Sequence, residues 1–167
     1  MEIRRTLSLF VTNCYDVMKY LVDTNVLSAV ATNRVEIVAH RFRSMRRQDI
    51  ATCDVVLHEV RFGLAANPVI AAKLGVIYDV LFDSLTILPT DQEVWLRAAS
   101  IRANLKHRGK PIGPYDLLIA AVAAQHNLIL VTNNKREFDN VEGIQVEDWS
   151  IAGAAGASSD VLPIASL

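Results

Sequence analysis

The segment Tyr20-Leu21-Val22-Asp23-Thr24-Asn25 constrains this chain more than any other. A short aromatic and β-branched run ends on a carboxylate, and residues suited to a helix start follow at once. One Asp therefore stands at the carboxyl end of a strand, the edge where open α/β sheets assemble their sites. The remainder of the chain repeats the alternation. Strands are predicted over residues 19–22, 49–52, 85–88, 128–131 and 144–146. Helical patterns lie between them, over 35–47, over 55–65, from Pro68 to 82, from a cap at Asp91 to about Arg108, and over 115–125. Gly109 is placed to stop the fourth of these. Such alternation predicts a three-layer α/β/α fold around a central parallel sheet. A single domain is expected over 18–150, after an N-terminal extension at 1–17 and before a low-complexity tail at 151–167.

Composition narrows the function classes. The chain is 51% hydrophobic, enough for a sizeable core, and its net charge of -1 makes no case for a strongly basic nucleic-acid binder. Two local basic clusters remain, Arg41, Arg43, Arg46 and Arg47, and then Arg102, Lys106, His107, Arg108 and Lys110. Each reads equally as solvated helix surface or as a set of phosphate contacts. Cys14 and Cys53 form no C-x-x-C pair, which points away from disulfide or thiolate-zinc scaffolds and towards a reducing cytoplasm. Cys53 suits a small core residue rather than a nucleophile. No apolar run reaches the ~18 residues of a membrane span. The apolar stretch after Arg4-Arg5 is too short and too broken for a signal peptide.

Two further acids share the setting of Asp23. Glu59 lies in Val55-Val56-Leu57-His58-Glu59-Val60, and Asp116 in Pro114-Tyr115-Asp116-Leu117-Leu118-Ile119. An isolated charge in apolar surroundings is costly, so such acids share a cation, a proton or a partner. Each has a plainer role on its own. Asp23 would cap the helix that follows it, and Asp116 would favour a helix first turn. Glu59 would face solvent or pair with Arg61 or Arg97, and Asn134 would be a turn residue. Their joint placement at matching segment ends raises the case for one site. Gly63, one turn beyond Glu59, is expected to permit close helix approach. Thr132 is placed to hydrogen-bond a carboxylate, and Asn134 offers a carbonyl oxygen.

An oxygen-only set of this kind suits Mg²⁺ or Mn²⁺ better than zinc. His58-Glu59 opens like H-E-x-x-H, but Phe62 occupies the second histidine position. His40, His58, His107 and His126 show no ligand spacing and read as surface or helix-end residues. A glycine-rich phosphate loop is absent.

The chain resembles PIN-domain proteins, in particular VapC-type toxins of toxin–antitoxin pairs. Four phrases carry the resemblance in order: Tyr20 to Ser28, His58 to Leu64, Gly109 to Asp116, and Val131 to Phe138, with Val146-Glu147-Asp148-Trp149 closing it. The resemblance implies a Mg²⁺-dependent endoribonuclease that hydrolyses RNA by metal-activated water and is silenced by a VapB-like antitoxin. By matching position it implies Asp23 and Asp116 as metal ligands, with Glu59 as the third acid. Asn134 would complete the site; many members carry a fourth acid there, so a four-acid, two-metal centre is not implied. It also implies a homodimer that meets operator DNA only through the antitoxin. Two rivals stand beside this reading. An Asp-nucleophile phosphohydrolase would want a second Asp where Asn25 stands. A non-catalytic PIN-like module acting with an antitoxin on operator DNA would not need all three acids intact.

Overall fold

The structure is a computed structural model and describes residues 18–151. The expected extension over 1–17, Cys14, and the tail after Ile151 lie outside the described residues. The first strand, β1 (Tyr20–Val22), is buried along its length. Helix α1 (Thr24–Thr32) follows it directly. Asp23 caps α1, and Asn33 ends it in the left-handed conformation that Asn tolerates. Next come α2 (Glu36–Ser44), β2 (Ile50–Cys53) and α3 (Asp54–Ala66). Helix α4 (Pro68–Asp83) starts with Pro in its first turn, capped by Asn67. The second half runs β3 (Thr86–Leu88), α5 (Gln92–His107), α6 (Pro114–Gln125), β4 (Ile129–Val131), α7 (Lys135–Phe138) and β5 (Gln145–Glu147).

The five strands form one parallel sheet in the order β3-β2-β1-β4-β5. The chain builds outward from β1 through β2 to β3, then returns across β1 to place β4 and β5 on its other side. The strand order therefore reverses between β1 and β4, where a crevice opens at the carboxyl ends of the strands. Val22 and Val131 are in register there, immediately before Asp23 and Thr132. Leu21, Leu27, Ile50, Leu88 and Leu130 are fully buried around this sheet. Each such side chain contributes about 1.5–3 kcal/mol through its removal from water.

The predicted elements are all present, with two differences beyond shifts of a residue or two at their ends. The helix expected over 35–47 stops at Ser44, and Arg47–Asp49 winds instead into a 3₁₀ turn that leads into β2. The Arg46 guanidinium grips the Asp49 carboxylate with two hydrogen bonds of 2.8 Å, which favours the tighter turn. The short α7 has no counterpart in the sequence reading, because four residues are too few to show a helical period. Among the described residues no helix is long and apolar enough to cross a membrane.

Candidate active site

Asp23 sits at the topological reversal. Its backbone N–H donates to the carbonyl of Val131 at 3.2 Å, so the chain after β1 is tied to the end of β4. Only 4% of the residue is exposed. One carboxylate oxygen, Oδ1, accepts from the Val26 N–H at 2.8 Å as the cap of α1. The other, Oδ2, faces the Asn25 side-chain amide at 3.5 Å. Burial pushes the Asp23 carboxyl up to about 6 from 3.8, against hydrogen bonds from Thr132, Val26 and Asn25 that hold it down. The cap therefore occupies one oxygen, and the other stands outside it. Thr132 is fully buried, and its Oγ1 also accepts from the Asn134 N–H at 2.9 Å.

Glu59 reaches the same edge from α3. The Thr24 hydroxyl donates to Glu59 Oε2 at 2.5 Å, across 35 residues of sequence. Glu59 is thus tied to the residue that follows Asp23, and it joins no ion pair among the described residues. Arg61 instead pairs with Asp79 at 2.6 Å. Arg97 lines a separate cavity of about 290 Å³ with Ser100, Asn104, Asn127 and Glu142. None of the predicted site residues lines that cavity. The close approach expected at Gly63 does not occur, because that face of α3 meets nothing within 4 Å.

Asp116 stands in the first turn of α6. Gly113, which precedes the helix, leaves the carboxylate room: a Cβ there would lie 3.1 Å from Asp116 Oδ2, and the side chain would have to shift. Burial raises the Asp116 carboxyl above its ordinary value, and the negative charges of Glu137 and then Glu59 add to the rise. Asp116 and Glu59 therefore face one another electrostatically, and Glu137 joins them. Asn134 is exposed, and no side-chain hydrogen bond ties it to the acids. Glu137 on α7 is the polar group of this segment whose charge Asp116 feels.

Sequence reasoning missed Thr24 and Glu137. Thr24 adjoins Asp23 in a phrase already singled out. Glu137 lies three residues beyond Asn134, the spacing that brings side chains to one helical face. Cys53, in contrast, is buried, with its thiol pushed up to about 12 chiefly by burial, consistent with an inert core residue.

The end of β5 braces this edge. The Glu147 carbonyl accepts the Thr132 N–H at 3.0 Å. The Glu147 carboxylate takes Arg41 at 2.9 Å and the Trp149 indole N–H at 3.1 Å, while Arg41 lies 4.9 Å above the Trp149 ring. The first basic cluster therefore has partners within the fold. Arg41 holds Glu147, Arg46 holds Asp49, Arg47 covers Phe42, and Arg43 reaches Asn33. In the second cluster Arg108 pairs with Glu142, while Arg102, Lys106 and Lys110 are exposed.

The donor chemistry of the four acids fits a hard divalent cation: all are carboxylates, and none is in an ion pair among the described residues. Among those residues no three His, Cys, Asp or Glu side chains are gathered tightly enough to grip one ion together. The fit lies in the donor set, not in a preformed cage.

Comparison with known proteins places this arrangement. Residues 20–144 match the PIN domain family. The chain belongs to the PIN-domain family, in its VapC branch. It is 32% identical over 132 residues to the tRNA(fMet)-specific endonuclease VapC of Salmonella typhimurium, covering 79% of this chain and 98% of that protein. It is 33% identical over 132 residues to Ribonuclease VapC2 of Haemophilus influenzae, with the same coverage of each chain. Among solved structures it resembles DNA-bound VapBC from Salmonella typhimurium, with a TM-score of 0.72 and 32% identity over 79% of this chain and 98% of that one.

Proposed function

We propose that this protein is the toxin of a type II toxin–antitoxin pair, an endoribonuclease that cleaves RNA with a divalent cation, Mg²⁺ in the first instance and Mn²⁺ as a substitute. The carrying observation is a buried carboxylate, Asp23, at the reversal of strand order, followed by Thr24, which holds Glu59, with neither acid in an ion pair among the described residues. Relatives named as ribonucleases and neighbours solved as VapBC complexes support the same reading.

In this proposal Asp23, Glu59 and Asp116 would supply the carboxylates that draw together on the ion, with Glu137 and Asn134 at its margin. The ion, when bound, neutralises charge on phosphate oxygens and activates water at neutral pH. The protein's own groups do the rest. Asp23 is the fixed point, held by its cap bond and by Thr132. Glu59, kept in place by the Thr24 hydroxyl, orients the attacking water towards phosphorus. Asn134 offers an amide to the substrate side. Partners follow from the surface. Helix α4 buries only Tyr78 and Phe82, while Val69, Val76 and Val80 lie exposed. An apolar face of this kind suits a homodimer and a VapB-like antitoxin, with operator DNA met through the antitoxin. The compartment is the cytoplasm.

The test is cleavage of RNA by purified protein, with EDTA and then with Mg²⁺ restored. Cleavage abolished by EDTA and recovered with Mg²⁺ is expected. Cleavage that survives EDTA contradicts the metal-assisted reading. No cleavage at all from a protein that still joins its antitoxin on operator DNA favours the binding-module reading.

A further inference from the structure

An aromatic pair flanks the acids and has no part in the chemistry above. His58 immediately precedes Glu59 on α3, and Tyr115 immediately precedes Asp116 on α6. Across the gap between these helices the His58 Nε2 and the Tyr115 hydroxyl are hydrogen-bonded at 3.1 Å. Their rings meet edge to face, with centroids 5.5 Å apart. Both side chains are exposed, Tyr115 to 44%. Phe62, one helical turn along α3 from His58, is 67% exposed and extends the aromatic surface.

The fold gains little from this pair. A hydrogen bond in contact with water competes with water itself. What the bond does is tie together two rings carried by the residues that precede Glu59 and Asp116. The electrostatics make such a surface useful. A phosphate is repelled by the acids unless a cation intervenes, and Arg41, Arg46 and Arg47 are already engaged within the protein. A neutral base meets no such repulsion and stacks on aromatic faces whatever its identity.

We infer that His58 and Tyr115 form a stacking platform for an unpaired RNA base next to the scissile phosphate. The inference rests on the ribonuclease reading and deepens it, since it names the residues that would receive an unpaired base beside the cut. Double-stranded RNA keeps its bases stacked and cannot use the platform. The two residues are substrate-binding groups, with no role in bond cleavage.

The probe is a stem-loop RNA, together with a set in which each loop nucleotide in turn is abasic. His58→Ala and Tyr115→Leu are compared with wild type in the full chain with Mg²⁺, after thermal melting has confirmed folding. Loss of the stacked base should raise KM about ten-fold, within the range for one base on an aromatic ring, while kcat changes less than about two-fold. Tyr115→Phe keeps the ring and loses only the bond that fixes it, so its KM falls between wild type and Tyr115→Leu. One abasic position should raise the wild-type KM by the same factor and add nothing to Tyr115→Leu. An unchanged KM in both variants, a fall in kcat alone, or abasic effects that add at every position would overturn the inference. If wild type does not cleave the probe, binding of the fluorescently labelled stem-loop decides it. Equal affinity of wild type and both variants overturns the platform, and about ten-fold weaker binding by the variants sustains it even where the nuclease reading has failed.

Discussion

Asp23 and Asp116 are the same residue type in the same kind of place, at the start of a helix, and the fold treats them in opposite ways. Asp23 is 4% exposed and accepts hydrogen bonds from Val26, Asn25 and Thr132. Asp116 is half-buried, accepts no hydrogen bond among the described residues, and has Glu137 and Glu59 for neighbours. Burial is the leading cause of the raised carboxyl in both, but only Asp23 has donors that push back. One acid is a seat whose position the fold dictates. The other is kept near like charges by little more than its helix and the clearance at Gly113. A rigid anchor with adjustable partners is a workable way to hold a cation that must also accept a substrate phosphate.

The largest expected effect removes the contrast. Asp23→Asn and Asp116→Asn should each lower RNA cleavage by more than the ~10–100-fold typical of losing an outer partner of a metal site. Single-turnover cleavage at saturating Mg²⁺ measures this. An Asp116→Asn protein with wild-type rates would leave Asp23 and Glu59 as the working pair.

Stability should separate the two acids where activity does not. The form that burial penalises at Asp23 is the charged one, and its folded value of about 6 lies above the unfolded 3.8. Below 3.8 the group is protonated in both states and contributes no penalty. Above about 6 it is ionised in both and the penalty is complete, roughly 3 kcal/mol. In EDTA, the stability difference between Asp23→Asn and wild type should therefore move about that far in the variant's favour as pH rises through this window. Asp116→Asn should move the same way by less. Chemical denaturation at several pH values tests both, and a flat difference for Asp23→Asn would show that burial is not what sets this carboxyl.

Smaller effects probe what holds the seat. Glu147→Gln weakens the grip on Arg41 and should cost about 1–3 kcal/mol as a charge-assisted bond is lost. Arg108→Ala, which breaks an exposed pair, should cost within about 1 kcal/mol. Equal costs would mean that the Glu147 brace does not bear on the fold. At the other acid, Glu137→Gln should lower the Asp116 carboxyl and reduce cleavage more than Asn134→Ala does, read from pH–rate profiles. The reverse order would return Asn134 to the centre of the site.

Much of this was legible in the chain. Short apolar runs with an acid at one end marked β1, and Asp23 could be read both as a cap and as a strand-end carboxylate. The parallel sheet followed from alternation alone. Long-range contacts were another matter. Thr24 meets Glu59 across 35 residues and Arg41 meets Glu147 across 106, and no local pattern encodes either. In the first basic cluster only Arg41 depends on a distant partner, while Arg46 and Arg47 find theirs within five residues. Gly63 misled because a helix position alone does not say which face is packed. Glu137 was hidden inside a helix too short to show a period.

The most direct measurement of the central claim is Mg²⁺ binding by calorimetry at pH 8 and at pH 5, in wild type and Asp23→Asn. If Asp23 is the anchor, the ion competes with its proton, so affinity should fall by up to about ten-fold per pH unit beneath its value of about 6, and Asp23→Asn should bind weakly at both. Wild-type affinity that is flat between the two pH values, or that Asp23→Asn retains, would contradict a cation site built on this carboxylate.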